Sequence, residues 1–180
     1  MIRNYSSEGI ILSRKNYGEA DRILTVFSKT HGKITLLAKG IRRLTSKKRG
    51  HLENFSQVKF SATDNKGFDL MTEVGTINSF LKVRSNLNKV SLAYYFCEVV
   101  NKITREGEKQ SSVYDLLTSS LEQLETVKNL KILRKDFILK LLIDLGYWPE
   151  TKKMLDPDIE LEEVMERNIN SVRVGKKILQ

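Results

Sequence analysis

Lys29–Gly50 reads KTHGKITLLAKGIRRLTSKKRG, and its three parts in order set the terms for the rest of the chain. His31-Gly32 lies between two alternating segments and reads as a tight turn. Lys33–Ala38 reads as a strand, polar at Lys33 and Thr35 and apolar at Ile34, Leu36 and Ala38, with Leu37 breaking strict alternation. Lys39, Arg42, Arg43, Lys47, Lys48 and Arg49 then put six cations within eleven residues. A cation-rich loop leaving a strand end suits a polyanion, because it has little desolvation to overcome and can follow a flexible backbone. The other reading of such a run is a solvated loop kept for solubility.

Outward from this stretch the first eighty residues read as β structure. Glu8–Asn16 is apolar at Ile10, Ile11 and Leu12 and turns at Tyr17-Gly18-Glu19, and Ala20–Ser28 carries Ile23, Leu24, Val26 and Phe27. Gln57–Thr63 puts Val58, Phe60 and Ala62 on one face, Asp64-Asn65-Lys66-Gly67 is a hairpin signal, and Phe68–Ile77 returns with Phe68, Leu70, Thr72 and Val74 on one face. Five such strands cannot leave both edges bare, so the pattern predicts a small closed or nearly closed barrel. Near Phe80 the apolar period lengthens to about 3.6 residues. Leu87, Val90, Ala93/Tyr94, Cys97, Val100 and Ile103 mark one helical face, and Ser112 to Asp115 resembles a capping box. That box opens a helix with Leu116, Leu117, Leu121, Leu124 and Val127 inward. Leu130–Leu145 is a further helix, with Leu130, Leu133, Phe137, Leu141, Leu142 and Leu145 inward, Gly146 as its C-cap and Pro149 as a stop. A last polar helix is expected over Asp158–Arg167. The fold class is therefore α+β: a barrel over residues 1–80 and a helical domain over 81–180, with the boundary near Ser79–Arg84.

Charge divides the chain in the same place. Residues 1–60 hold 13 Lys/Arg against 4 Asp/Glu, a net of +9, whereas residues 61–180 hold 18 of each. The excess points to nucleic acid or an anionic membrane surface. The membrane reading is the weaker, since the charge lies on β structure rather than on an amphipathic helix and no apolar run reaches 18 residues. MIRNYSSEGIIL has no signal-peptide core, so a cytoplasmic chain is expected.

No motif argues for an enzyme. There is no phosphate-cradling glycine loop, and His31 and His51 belong to no metal-binding pair. The single Cys97 excludes a disulfide within the chain and a cysteine-rich zinc site, and reads as a buried small apolar residue. Glu19 and Asp21 read as a turn and an ion pair with Arg22; Ser6, Ser7 and Ser13 have no activating neighbours. No cofactor and no metal are expected. The phosphate-contact candidates are Lys39, Arg42, Arg43, Lys47, Lys48 and Arg49, with Arg14, Lys15 and Lys33 beside them. Most aromatics read as core, and Tyr5 and Tyr17 are the candidates for stacking on bases.

The segment EGIILSRKNYGEADRILTVFSKTHGKITLLAKGIRR closely resembles the N-terminal part of the bacterial recombination-repair family RecO. The marks are Glu8 to Leu12, Tyr17 to Asp21, Val26 to Ser28, His31 to Lys33 and Leu37 to Arg43, with shorter matches at Leu145-Gly146-Tyr147, Pro149 and Ile169–Leu179. The resemblance implies an N-terminal OB-fold and a helical domain. It implies recombinational DNA repair: binding of single- and double-stranded DNA, annealing of complementary strands and help in loading recombinase. It further implies a nucleoid-associated protein whose partners are RecR and the acidic C-terminal tail of single-strand-binding protein. Lys135 and Leu139 lie where the family's basic and apolar contacts to that tail fall. In one respect the chain departs from the family: many members carry a four-cysteine zinc module after the stretch matching Leu145 to Tyr147, and here a short cysteine-free segment follows. An RNA-binding OB protein is the alternative that barrel and charge fit equally well.

Overall fold

The computed structural model of the protein describes residues 4–43, 46 and 49–165. The chain forms two compact units. One runs as far as Ser79 and also takes in Thr104–Tyr114; the other holds Phe80–Ile103 and the residues from Asp115 on. The break at Ser79/Phe80 falls where the apolar period changes. The return of Thr104–Tyr114 to the first unit departs from the simple two-part division.

Five strands make the first unit: β1 (Asn4–Tyr17), β2 (Asp21–Ser28), β3 (Gly32–Ala38), β4 (Gln57–Thr63) and β5 (Asp69–Asn78). They close a barrel in the order β1-β2-β3-β5-β4, antiparallel except between β3 and β5, as in an OB-fold. β1 serves two neighbours, pairing Asn4–Ile10 with β4 and Gly9–Tyr17 with β2. Sharing one strand between two partners requires a bend. A register shift between Ile11 and Ser13 supplies part of it. Gly9 supplies the clearance, because a Cβ there would stand 2.5 Å from Val26 Cγ1. The polar residues Asn4–Ser7 join the strand through pairing with β4, which is why side-chain pattern alone began it at Glu8.

The barrel core is Ile11, Leu24, Val26, Leu36, Ala38, Ile41, Leu52, Val58, Phe60, Ala62 and Met71. Each fully buried large side chain contributes about 1.5–3 kcal/mol. On β5 the inward face differs from the expected Phe68, Leu70, Thr72 and Val74: Met71 is the buried residue, and Phe68 is 40% exposed. Two register shifts against β4, between Gln57/Val58 and Ser61/Ala62, each leave β5 one residue longer than its partner. A period of two does not survive an odd insertion.

β3 pairs with β5 only at Leu36 and Leu37. Lower on β3, Thr104–Tyr114 acts as a strap. The Gly107 N–H donates to the Lys33 carbonyl at 2.8 Å and the Lys33 ammonium donates to the Thr104 carbonyl at 2.5 Å. Gly32, at φ +66°, is where the strap presses closest: a Cβ there would lie 1.9 Å from the Glu108 carbonyl oxygen.

The helices are α1 (Leu81–Arg84), α2 (Leu87–Ile103), α3 (Ser111–Thr126), α4 (Leu130–Asp144) and α5 (Pro157–Met165). α2 buries Leu92, Ala93, Tyr95, Phe96, Cys97, Val99 and Val100, more than a single stripe, while the expected Leu87 and Tyr94 are 77% and 42% exposed. Burial on more than one side erases the amphipathic signal on which a one-face reading depends. Phe96 stacks on Phe137 of α4 with centroids 4.1 Å apart. α3 begins one residue before Ser112, with the Tyr114 N–H on the Gln110 carbonyl, so Ser112 sits inside the first turn and is not the cap. α4 is capped at both ends. Asn129 accepts from the Ile132 N–H, and at the other end the Gly146 and Tyr147 N–H groups donate to the Ile143 and Leu142 carbonyls around Gly146 at φ +76°. Among the described residues no helix is long and apolar enough to cross a membrane.

Candidate nucleic-acid interface

The basic loop is built outward from two anchors. Ile41 is fully buried in the barrel core, and the Asp21 carboxylate accepts the Gly40 N–H at 2.7 Å. The Arg42 N–H donates to the Ala20 carbonyl at 2.8 Å, and the Arg43 N–H closes a turn on the Gly40 carbonyl at 3.1 Å. With Ile41 inward, Lys39, Arg42 and Arg43 are exposed. The Arg42 guanidinium also reaches the Gly18 carbonyl at 3.2 Å, tying the loop to the β1–β2 turn. On that turn Lys15 is exposed and Tyr17 is half-exposed, while Arg22 donates to the Asn16 side chain. One end of the barrel thus carries the exposed cations Lys15, Lys39, Arg42 and Arg43 together with the accessible phenol ring of Tyr17.

The other candidates fall elsewhere. Arg14 forms an ion pair with Glu53. Lys33, through its bond to the strap, is committed to the fold, and burial pushes its ammonium below the ordinary lysine range. Lys47 and Lys48 lie outside the described residues, as does Ile169–Leu179; of Arg49 only the backbone is described, in a short 3-10 turn, Arg49–His51. Asp21, read from sequence as part of a turn and ion pair beside Arg22, holds the base of the basic loop.

The aromatic candidates also separate. Tyr5 donates to Asp69 Oδ2 at 2.7 Å and packs its ring 4.5 Å from that of His31, centroid to centroid. Burial, and then the Asp69 hydrogen bond, raise its phenol far above the ordinary tyrosine range. Tyr5 is a structural residue; Tyr17 keeps the accessible ring. Both histidines bond a neighbouring threonine through Nδ1 at 2.7 Å, His31 to Thr30 and His51 to Thr76.

The helical unit holds a second candidate site. Lys135, Asp136 and Leu139 of α4 face the connection 150–155 and Pro157 across a groove of about 430 Å³. Three lysines (Lys135, Lys152 and Lys153) outnumber Asp136 and Glu150, and Leu139, Met154 and Leu155 supply apolar surface. Leu155 is 86% exposed. Lys152 lies 4.6 Å over the Trp148 ring, whose indole N–H donates to the Lys152 carbonyl at 2.7 Å. Lys135 and Leu139 were legible in the sequence only by resemblance. Their neighbours in the groove come from an irregular connection with no periodic signal.

Two family models match this chain: Recombination protein O N terminal over residues 1–80 and Recombination protein O C terminal over residues 84–155. The chain belongs to the RecO family. Curated relatives named DNA repair protein RecO agree. That of Dehalococcoides mccartyi is 35% identical over 150 residues, which are 83% of this chain and 59% of the relative. That of Pelotomaculum thermopropionicum is 32% identical over 82% of this chain and 57% of the relative, and that of Halalkalibacterium halodurans 28% identical over 81% and 58%. The chain therefore spans under three fifths of the length of these RecO proteins. The N-terminal RecO match covers the barrel strands and the basic loop, and the C-terminal match runs through α2, α3 and α4 as far as Leu155.

Proposed function

We propose that this chain is a non-enzymatic accessory protein of recombinational DNA repair. It binds single- and double-stranded DNA at the end of the barrel where Lys15, Lys39, Arg42 and Arg43 converge. The observation that carries this reading is the anchoring of the basic loop: Asp21 and Ile41 hold its backbone, and Lys39, Arg42 and Arg43 stay exposed, Arg42 with one bond to the Gly18 carbonyl. Phosphate contacts of this kind position a nucleic acid without reading its bases. Screening the repulsion between two complementary strands is enough to speed their pairing, with no nucleotide or metal required. In the same reading the chain works in the cytoplasm at the nucleoid with RecR, helping recombinase onto strands coated by single-strand-binding protein. The acidic, apolar-ended tail of that protein seats in the groove of Lys135 and Leu139, where charge and apolar surface are complementary to it.

The test is a salt series with labelled single-stranded DNA. Arg42→Ala/Arg43→Ala should weaken binding alike for all sequences and flatten the log–log salt slope by about 0.7 per lost contact. Lys33→Met, which removes a cation already bonded to the strap, should leave the slope at the parent value. An unchanged slope in the double variant removes this loop from the interface. Tighter binding of RNA than of DNA of the same sequence would favour an RNA-binding role instead.

A further inference from the structure

Arg134 and Asp158 meet inside the helical unit, Arg134 Nη2 donating to Asp158 Oδ2 at 2.7 Å with both residues at most 9% exposed. Each stands next in sequence to a residue lining the groove: Arg134 precedes Lys135, and Asp158 follows Pro157. On α4 and on α5 alike, one residue faces the groove while its neighbour faces the buried pair. The start of α5 is locally well made. Pro157 occupies its first position, and Asp156 accepts the Asp158 N–H at 3.0 Å. Nothing in that local structure says where α5 should stand against α4; among the buried side chains of α5, Asp158 and Leu161 are left to do so.

The pair is also under-satisfied. Arg134 Nε and Nη1, Asp158 Oδ1 and the nearby Tyr95 hydroxyl are buried and find no hydrogen-bond partner among the described residues. The Arg134 guanidinium carbon lies 5.7 Å from the Tyr95 ring centroid. A buried ion pair with unmet valences adds little stability over an apolar contact of the same shape, but losing one partner leaves the other buried and uncompensated. The pair therefore holds α5 on α4 only while both members are present.

We propose that Arg134 and Asp158 are positioning residues of the groove: their pairing sets the wall formed by Leu155 and Pro157 against α4, and so governs whether an acidic, apolar-ended peptide can seat. The proposal rests on the reading of the groove as a peptide-docking site. Neither residue touches the peptide. Lys135, Lys152 and Lys153 meet its carboxylates, and Leu139 and Leu155 its apolar end.

The experiment uses the full chain and a labelled peptide of consecutive aspartates ending in phenylalanine. Trp148, the chain's single tryptophan, reports on the connection beside the groove without any peptide present. Asp158→Asn should weaken the peptide by about tenfold, a loss in the range for residues that act on a coupled element rather than on the ligand. It should shift Trp148 emission and leave single-stranded DNA affinity at the parent value. Arg134→Met/Asp158→Leu, which redocks α5 through apolar contact, should restore both peptide affinity and emission. Parent-like affinity and emission in Asp158→Asn would overturn the proposal. So would a double variant that stays weak, since the charges themselves would then matter to the peptide. Lys135→Glu separates the two readings: if it fails to weaken the peptide, the docking assignment falls, and the peptide-free emission of Asp158→Asn alone decides the positioning role.

Discussion

The basic loop of the barrel and the groove of the helical unit both hold exposed cations above a buried anchor, but the anchors are of opposite kinds. Beneath Lys39, Arg42 and Arg43 the anchor is an apolar side chain, Ile41, together with a carboxylate on a backbone N–H. Beneath Lys135 the anchor is itself an ion pair, so Arg134 is consumed by the fold. The same contrast recurs within the barrel unit, where Arg14 pairs with Glu53 and Lys33 holds the strap. What holds the backbone beneath a cation decides whether that cation is left for a partner. A count of lysines and arginines does not carry this information.

The sharpest way to break the contrast is to take away one half of the buried anchor. Asp158→Ala leaves the Arg134 guanidinium buried without a counter-charge, and should cost about 3–5 kcal/mol of stability in urea unfolding. A loss near zero would mean that the pair is effectively solvated and the two anchors are alike.

A smaller but more discriminating effect is expected at the loop. Asp21→Ala removes the acceptor of the Gly40 N–H, at about 1–3 kcal/mol. It also removes a negative charge beside the basic cluster. Electrostatics alone would then tighten single-stranded DNA binding, whereas loss of the anchored loop shape would weaken it. Weaker binding is expected; tighter binding would show that the anchor does not matter to the interface.

The smallest effect concerns Tyr95 beside the buried pair. Burial first, and then the Asp158 charge, raise its phenol above the ordinary value of 10.0. The neutral form is thus favoured in the folded state, and the unfolded chain gives up its proton first. The corresponding stability is fully present below 10.0 and is lost as the pH climbs above it. Tyr95→Phe should change stability at neutral pH by less than about 0.5 kcal/mol, because the deleted hydroxyl has no partner among the described residues. Alkaline unfolding followed above that value should be shallower in the variant. An identical alkaline slope would show that the ring is hydrated.

Much of the barrel was legible locally. Ile34, Leu36 and Ala38 alternate, His31-Gly32 turns, and Val58, Phe60 and Ala62 share a face; each is a relation between residues a few positions apart, and the barrel keeps all of them. β5 defeats the same reasoning, because its register shifts against β4 appear only when the two strands pair. The candidate interface was half legible. Charge density marked the loop, but that Ile41 turns inward and leaves its neighbouring cations exposed came only with the barrel. Lys33 and Tyr5 could not be sorted from sequence, since their partners Thr104 and Asp69 lie 71 and 64 residues away.

By itself, then, the sequence determined five strands and their turns, the helical C-terminal half, the C-cap at Gly146 and the concentration of positive charge in the first sixty residues. All of these follow from short-range sterics, periodicity and composition. Tertiary structure alone decided the strap across Gly32, the spending of Arg14, Lys33 and Arg134 on the fold, the exposure of Phe68 and the joining of Lys135 to the 150–155 connection in one groove. The reason is physical: a polar side chain is claimed by whichever partner chain closure brings within about 3 Å, and that partner leaves no trace in the residues on either side of it.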